Sequence, residues 1–167
     1  MTVDHRPPAA TRLSGLTAPI FILSTARSGS TLLRFILDTH ADLACPPETN
    51  IPATCAQLAS TWSTISGAQL SHSRKGVNIT EIPDAVITKV RRVTDSMMGQ
   101  YLTGHNKRRF CDKSIGTAAY AELLVRLYPE AKFICLVRHP MDFIRSRAAW
   151  PRSEWWSVSG CRQRARR

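Results

Sequence analysis

The sequence predicts an α/β fold, a parallel sheet flanked by helices, and three observations predict it. Short apolar runs rich in β-favouring residues stand at 19–24, 109–112 and 132–137, lengths that suit buried strands. Between them lie stretches with apolar residues three and four apart, the spacing of one helix face. The first and last runs each open into a short turn that leads into a helix, and strands alternating with helices pair in parallel through right-handed crossovers. The 167 residues suit one domain with a sizeable core. Hydrophobic residues make up 43% and charged residues 21%, which excludes a disordered polar chain. No apolar run approaches the about 20 residues of a membrane-spanning helix.

Residues 1–18 are polar, with Pro7, Pro8 and Arg12, and read as a flexible arm without the apolar stretch of a secretory leader. Ile20, Phe21, Ile22 and Leu23 make the first strand, and 25–30 is a turn of small and polar residues. Helical spacing runs from Thr31 to Thr39, with Leu32, Leu33, Ile36 and Leu37 on one face. Leu43, Ala44 and Cys45 predict a second strand, ended by Pro46 and Pro47. Residues 50–62 are weakly helical, and 63–80, rich in serine and glycine, predict a loop. Pro83 starts the next helix and Asp84 suits its first turn. Val86, Val90, Val93, Met97 and Tyr101 form its predicted stripe, ending near Gly104. The strand at 109–112 leads to a loop at Lys113 and Ser114. Residues 118–128 are helical, with Leu123, Leu124 and Leu127 inward and Pro129 closing the helix. The strand at 132–137 turns at Arg138 and His139, and Pro140 opens a helix through about Arg147. The predicted domain is thus 19–148, followed by an irregular basic tail at 149–167.

The formal net charge of +11 calls for an anionic partner. Residues 138–167 hold eight arginines against Asp142 and Glu154, and the last six residues read as a solvated tail. Trp150, Trp155 and Trp156 could stack on bases, but nothing else resembles a nucleic-acid-binding module. A basic binding protein therefore stays a secondary reading. Cys45, Cys55, Cys111, Cys135 and Cys161 form an odd set without a CxxC pair. That points to reduced thiols in a cytoplasm rather than a disulfide framework or a zinc site.

A small-residue loop between a buried strand and a helix gathers backbone N–H groups around one point, and the helix N-terminus adds about half a positive charge there. Gly29 permits close approach or a positive φ. Ser28, Ser30 and Thr31 add hydroxyls, and Arg27 adds a fixed cation. The chemistry implied is capture of a phosphate-like anion; the alternative is a connection whose small residues serve only the turn. The triphosphatase loop GxxxxGK[ST] fails here, because Ser30 rather than lysine precedes Thr31 and no glycine lies five residues before Gly29. A relative of the nucleotide kinases remains as an alternative, with Mg²⁺-assisted chemistry disfavoured. In a doubly wound sheet, ligands bind beyond the carboxyl ends of the strands, where both this loop and Arg138 lie. Arg138 offers a planar fork for a phosphate, and Ser146, about two turns into the next helix, offers a hydroxyl. Lys113 reaches the same edge if its strand lies beside the first, with Asp112 orienting it or capping the next turn. As alternatives, Arg138 and Lys113 are surface cations and Ser146 a solvated helix residue.

The stretch from Pro19 through Arg27-Ser28-Gly29-Ser30-Thr31 to Leu33 resembles the 5′-phosphosulfate loop of sulfotransferases that use 3′-phosphoadenosine-5′-phosphosulfate (PAPS). The stretch from Phe133 through Arg138-His139-Pro140 to Ser146 is similar to their 3′-phosphate motif. Cys111-Asp112-Lys113-Ser114 is similar to a segment common in bacterial members, and Pro46-Pro47-Glu48 to the segment after the family's first helix. Four pieces in this order over 19–147 make the resemblance specific. It implies a P-loop-like sulfotransferase fold, PAPS as donor substrate, no metal, and transfer of a sulfuryl group to an acceptor hydroxyl. It assigns Arg138 and Ser146 to the 3′-phosphate. Arg27, with Ser28, Gly29, Ser30 and Thr31, falls to the charge that develops on the bridging and leaving phosphate oxygens. The acceptor proton passes to a base, for which Glu48 is the leading candidate and His40 and His139 lesser ones; the alternative for Glu48 is an ordinary exposed glutamate. Many members carry lysine where Arg27 stands. The acceptor itself stays open among carrier-bound acyl hydroxyls, carbohydrates, lipids and small alcohols, as does the oligomeric state. The resemblance ends near Arg147, where family members continue with helices that close over the adenine and form the acceptor pocket. The expectation is an incomplete donor-binding domain that exposes apolar surface.

Overall fold

The computed structural model describes residues 16, 18–68, 72–73, 76–77 and 79–148. The arm before Leu16 and the tail at 149–167, with Cys161 and the three tail tryptophans, lie outside the described residues. The chain forms β1 (Ile20–Ser24), α1 (Ser30–Asp38), β2 (Leu43–Ala44), α2 (Ile51–Ile65), β3 (His72–Ser73) and β4 (Gly76–Val77). After a 3₁₀ turn at Ile79–Glu81 come α3 (Asp84–His105) and β5 (Arg109–Asp112). A second 3₁₀ turn at Thr117–Tyr120 leads into α4 (Ala121–Leu127), β6 (Lys132–Leu136) and α5 (Pro140–Ala148). The strands β2, β5, β1 and β6, in that order, form one parallel sheet. β3 and β4 pair antiparallel within the stretch expected to be loop. Two residues a side carry too little pattern to announce a strand.

β1 is central, and its register sets the site. Ile20 lies beside Cys111 on one side and Lys132 on the other, and Ser24 lies beside Leu136. The carboxyl ends of β1, β5 and β6 therefore share one edge of the sheet, and the loops that follow them emerge together. Successive β1 side chains point to opposite faces. Phe21 enters the larger core with Val90, Met98, Leu124, Leu127 and Tyr128 from α3 and the α4 end. Its ring centroid lies 5.9 Å from that of Tyr128 and 5.8 Å from that of Phe133. Ile20 and Ile22 face the other way, into a smaller cluster with Cys45 and Cys111 that α1 covers.

Two expected helix faces differ from the observed ones. On α1, Leu33 and Leu37 pack on the small cluster while Leu32 and Ile36 are exposed. On α3 the buried row is Val86, Val90, Thr94, Met98 and Leu102, whereas Val93 and Met97 are exposed. A polar residue at the centre hides this row from a hydropathy reading. Thr94 is tolerated there because its hydroxyl donates to the Val90 carbonyl at 3.0 Å and lies 2.6 Å from the Tyr128 hydroxyl, so no buried polar group is orphaned. Leu123, Leu124 and Leu127 are buried as their spacing predicts. At the other end, Leu16 packs against the larger core and the Ala18 carbonyl accepts a hydrogen bond from Arg109 Nε at 2.7 Å. Among the described residues, Cys45, Cys55 and Cys111 are buried free thiols and Cys135 is an exposed one. No helix of the described residues is long and apolar enough to cross a membrane.

Candidate active site

The loop after β1 is closed by the Thr25 carbonyl, which accepts both the N–H of Ser28 at 3.3 Å and its hydroxyl at 2.8 Å. Arg27 and Gly29 take left-handed backbone conformations, φ 66° and 96°. For Arg27 this is a strained geometry of the kind that collects at functional sites. Gly29 is the N-cap of α1 and supplies no side-chain cap, and a helix has no internal acceptors for its first-turn N–H groups. A Cβ built on Gly29 would meet nothing within 4 Å. The glycine is thus required by φ rather than by crowding, and open space lies before the helix terminus, as an anion seat demands.

That space belongs to a cavity of about 660 Å³. Arg27, Gly29, Ser30, Thr31, Glu48, Lys113, Arg138 and Ser146, all singled out by the sequence, line it. Ser28 does not, because both its donors serve the Thr25 turn. His139 is exposed and starts α5, its Nδ1 accepting the Met141 N–H at 3.3 Å. His40 shapes the turn before β2, its Nδ1 accepting the Asp42 N–H at 3.0 Å. Neither histidine lines the cavity.

The loop after β1 meets both the turn after β6 and α5. Arg27 Nε donates to Ser146 Oγ at 2.8 Å, and Arg138 Nη1 donates to the Arg27 carbonyl at 3.1 Å. These contacts join positions 119 and 111 residues apart. They exist because β1 and β6 are neighbours whose ends coincide.

Just after β5, Lys113 is only 5% exposed and its Nζ donates to Glu48 Oε1 at 2.6 Å, while Glu48 stays 39% exposed. A buried ammonium needs such a partner. Arg27, Lys113, Arg138 and the α1 terminus outweigh Glu48 in the cavity, so its field favours an anion. Asp112 is fully buried. Burial pushes its carboxyl above the ordinary value of 3.8, against the hydrogen bonds from Thr49, Ser114 and Thr117 that favour the ionised form. Among the described residues, no group of three or more His, Cys, Asp and Glu could hold a metal ion.

Sequence reasoning missed Asn50 and Ile115, which also line the cavity, and the hydrogen-bonding roles of Thr49 and Ser114. One signal existed for Asn50: it precedes a helix with Pro52 in its first turn and takes φ 56° as the N-cap of α2, a conformation asparagine tolerates. No periodicity marks Thr49 or Ser114, and the contacts that join them to the opposite loop, Thr49 to Asp112 and Ser114 to Asn50, span 63 and 64 residues.

The chain matches the model of the sulfotransferase family over residues 19–166, further than Arg147, where the motif resemblance stops. It is 33% identical over 125 residues to a protein-tyrosine sulfotransferase of Drosophila melanogaster, covering 71% of this chain and 23% of that protein. Protein-tyrosine sulfotransferase A of Caenorhabditis elegans is 31% identical over 125 residues, 73% of this chain and 31% of that one. Protein-tyrosine sulfotransferase 1 of Mus musculus is 31% identical over 125 residues, 71% of this chain and 30% of that one. The chain thus spans less than a third of the length of each of these relatives. Matched by this family model over far more than half its length, the chain belongs to the sulfotransferase family.

Proposed function

We propose that this chain binds PAPS and transfers its sulfuryl group to an acceptor hydroxyl. The observation that carries the reading is the junction of Arg27, Ser146 and Arg138 in the cavity that also holds Glu48 and Lys113. In this reading Arg27 and the α1 N–H groups stabilise charge on the 5′-phosphate oxygens, and Arg138 and Ser146 hold the 3′-phosphate. Glu48 accepts the proton of the acceptor hydroxyl. The acceptor oxygen forms its bond to sulfur as the bond from sulfur to the 5′-phosphate oxygen breaks, and the electron pair stays on the departing nucleotide. Lys113 holds Glu48 in place and offers a further cation to the sulfuryl oxygens. Because the relatives are protein-tyrosine sulfotransferases, a tyrosine phenol is the first acceptor to try.

Calorimetry with 3′-phosphoadenosine-5′-phosphate tests donor binding. Arg138→Ala should weaken affinity by roughly 10-fold or more, as loss of a charge-assisted phosphate contact does. Absence of binding to well-folded protein, or unchanged affinity in the variant, overturns the reading. For transfer from PAPS to a tyrosine-containing peptide, Arg27→Ala should lower kcat by about 10²–10³-fold.

A further inference from the structure

The residues that line the cavity are set in place by residues that do not. Asp112 ends β5 and is wholly buried. Its Oδ1 accepts Thr49 Oγ1 at 2.5 Å and Ser114 Oγ at 2.9 Å. Its Oδ2 accepts the Ser114 N–H at 3.1 Å and lies 3.5 Å from Thr117 Oγ1. Ser114 Oγ in turn accepts the Asn50 N–H at 2.9 Å, and Thr49 Oγ1 accepts the Ile51 N–H at 3.3 Å. One carboxylate and one serine hydroxyl thus grip residues 49 and 50, directly after Glu48, and fasten them to the strand end that carries Lys113. Among the described residues, the loop 46–50 is otherwise tied to the end of β5 by the Glu48–Lys113 pair itself. A half-exposed glutamate on a loop has several rotamers, and holding a reacting group within a fraction of an ångström is worth large factors in rate.

We infer that Asp112 is a positioning residue: through Thr49 it holds the loop so that Glu48 stands against Lys113 in the cavity, ready to take the acceptor proton. The inference deepens the proposed function and rests on it for its catalytic part. Thr49 does not hydrogen-bond the Lys113 ammonium, so a change there reaches Lys113 by way of Glu48, whereas Asp112 is its chain neighbour and Thr49 is the cleaner probe.

The test has two arms. In the first, acetic anhydride labels the folded full chain and mass spectrometry reads Lys113, with Glu48→Ala setting the level for an unpaired ammonium. Thr49→Val and Asp112→Asn should raise labelling toward that level, and Thr49→Ser, which keeps the hydroxyl, should stay near wild type. In the second, kcat for transfer from PAPS to a tyrosine-containing peptide is set against the affinity for 3′-phosphoadenosine-5′-phosphate. Thr49→Val should lower kcat by about tenfold with affinity unchanged, and Thr49→Ser should recover it. Unchanged Lys113 labelling overturns the inference. So does raised labelling with unchanged kcat, or a loss of kcat matched by a loss of nucleotide affinity. Absence of nucleotide binding by the wild type defeats the functional reading instead, and the labelling arm still decides whether Asp112 positions Glu48.

Discussion

At Gly29 one dihedral angle carries two demands. The chain must reverse from β1 into α1, and the N–H groups beyond must face open space. With φ at 96°, an alanine there strains the backbone by about 1–2 kcal/mol, although its methyl group meets nothing within 4 Å. Gly29→Ala should therefore lower the free energy of unfolding by about that amount in urea titration. It should also weaken binding of 3′-phosphoadenosine-5′-phosphate, because the methyl group enters the space before the helix. Asp112 makes a prediction with a sign. Its folded-state carboxyl lies above the ordinary 3.8, chiefly through burial, so the native state holds the proton more tightly than the unfolded chain. Its contribution to stability is then lost as pH rises from 3.8 through the raised value, and regained as pH falls. Asp112→Asn cannot titrate, so the urea midpoint of wild type relative to the variant should rise on acidification across that window. A midpoint difference that is flat or reversed would contradict the burial argument.

At the scale of elements, α3 shows how a hydrogen bond lets a polar residue occupy a core row. Residues four apart along α3, from Val86 to Leu102, face the larger core, and Thr94 sits at their centre with no exposure. Thr94→Val keeps the shape and removes the group that pairs with the buried Tyr128 hydroxyl. It should cost about 1–3 kcal/mol, the penalty for an interior polar group that loses a partner, read as a lower urea midpoint with nucleotide affinity intact. The short helix α1 behaves differently. Alone over the small cluster, it buries Leu33 and Leu37 and leaves Leu32, Phe35 and Ile36 outside. Spacing therefore identified both helices and part of each inward face, Leu33 and Leu37 on α1 and Val86 and Val90 on α3, but turned Leu32, Ile36, Val93 and Met97 inward when they are exposed. A window of hydropathy cannot see which neighbour a helix meets, or that a threonine has found a hydroxyl.

For the whole molecule, β6 is the last strand of the parallel sheet, with β1 as its one neighbour among the described residues. Val137 just beyond it is 81% exposed, and Met141 and Ile144 on α5 are exposed as well. Together with the outer side of α1 they leave apolar side chains exposed among the described residues. Such surface favours self-association. Replacing Phe35 and Ile36 together by serine should reduce association in sedimentation velocity. Because both are more than half exposed, each substitution should change unfolding free energy by no more than about 0.5 kcal/mol.

By itself the sequence determined the alternation of strands and helices, a glycine free to take a positive φ before α1, and Arg27, Lys113 and Arg138 as candidate cations, all three of which line the cavity. Each of these is a local property, set by side-chain chemistry and by periods of two or about four residues. Only the tertiary structure decided that Arg27 meets Ser146, that Lys113 is paired with Glu48, and that Ser28, His40 and His139 serve turns. It alone placed Thr49, Asn50 and Ser114 around Asp112. The physical reason is register. The order β2, β5, β1, β6 and the shared level of the β1 and β6 ends are fixed by packing among residues far apart in sequence. No local pattern of residues encodes which distant loop will arrive at the same edge.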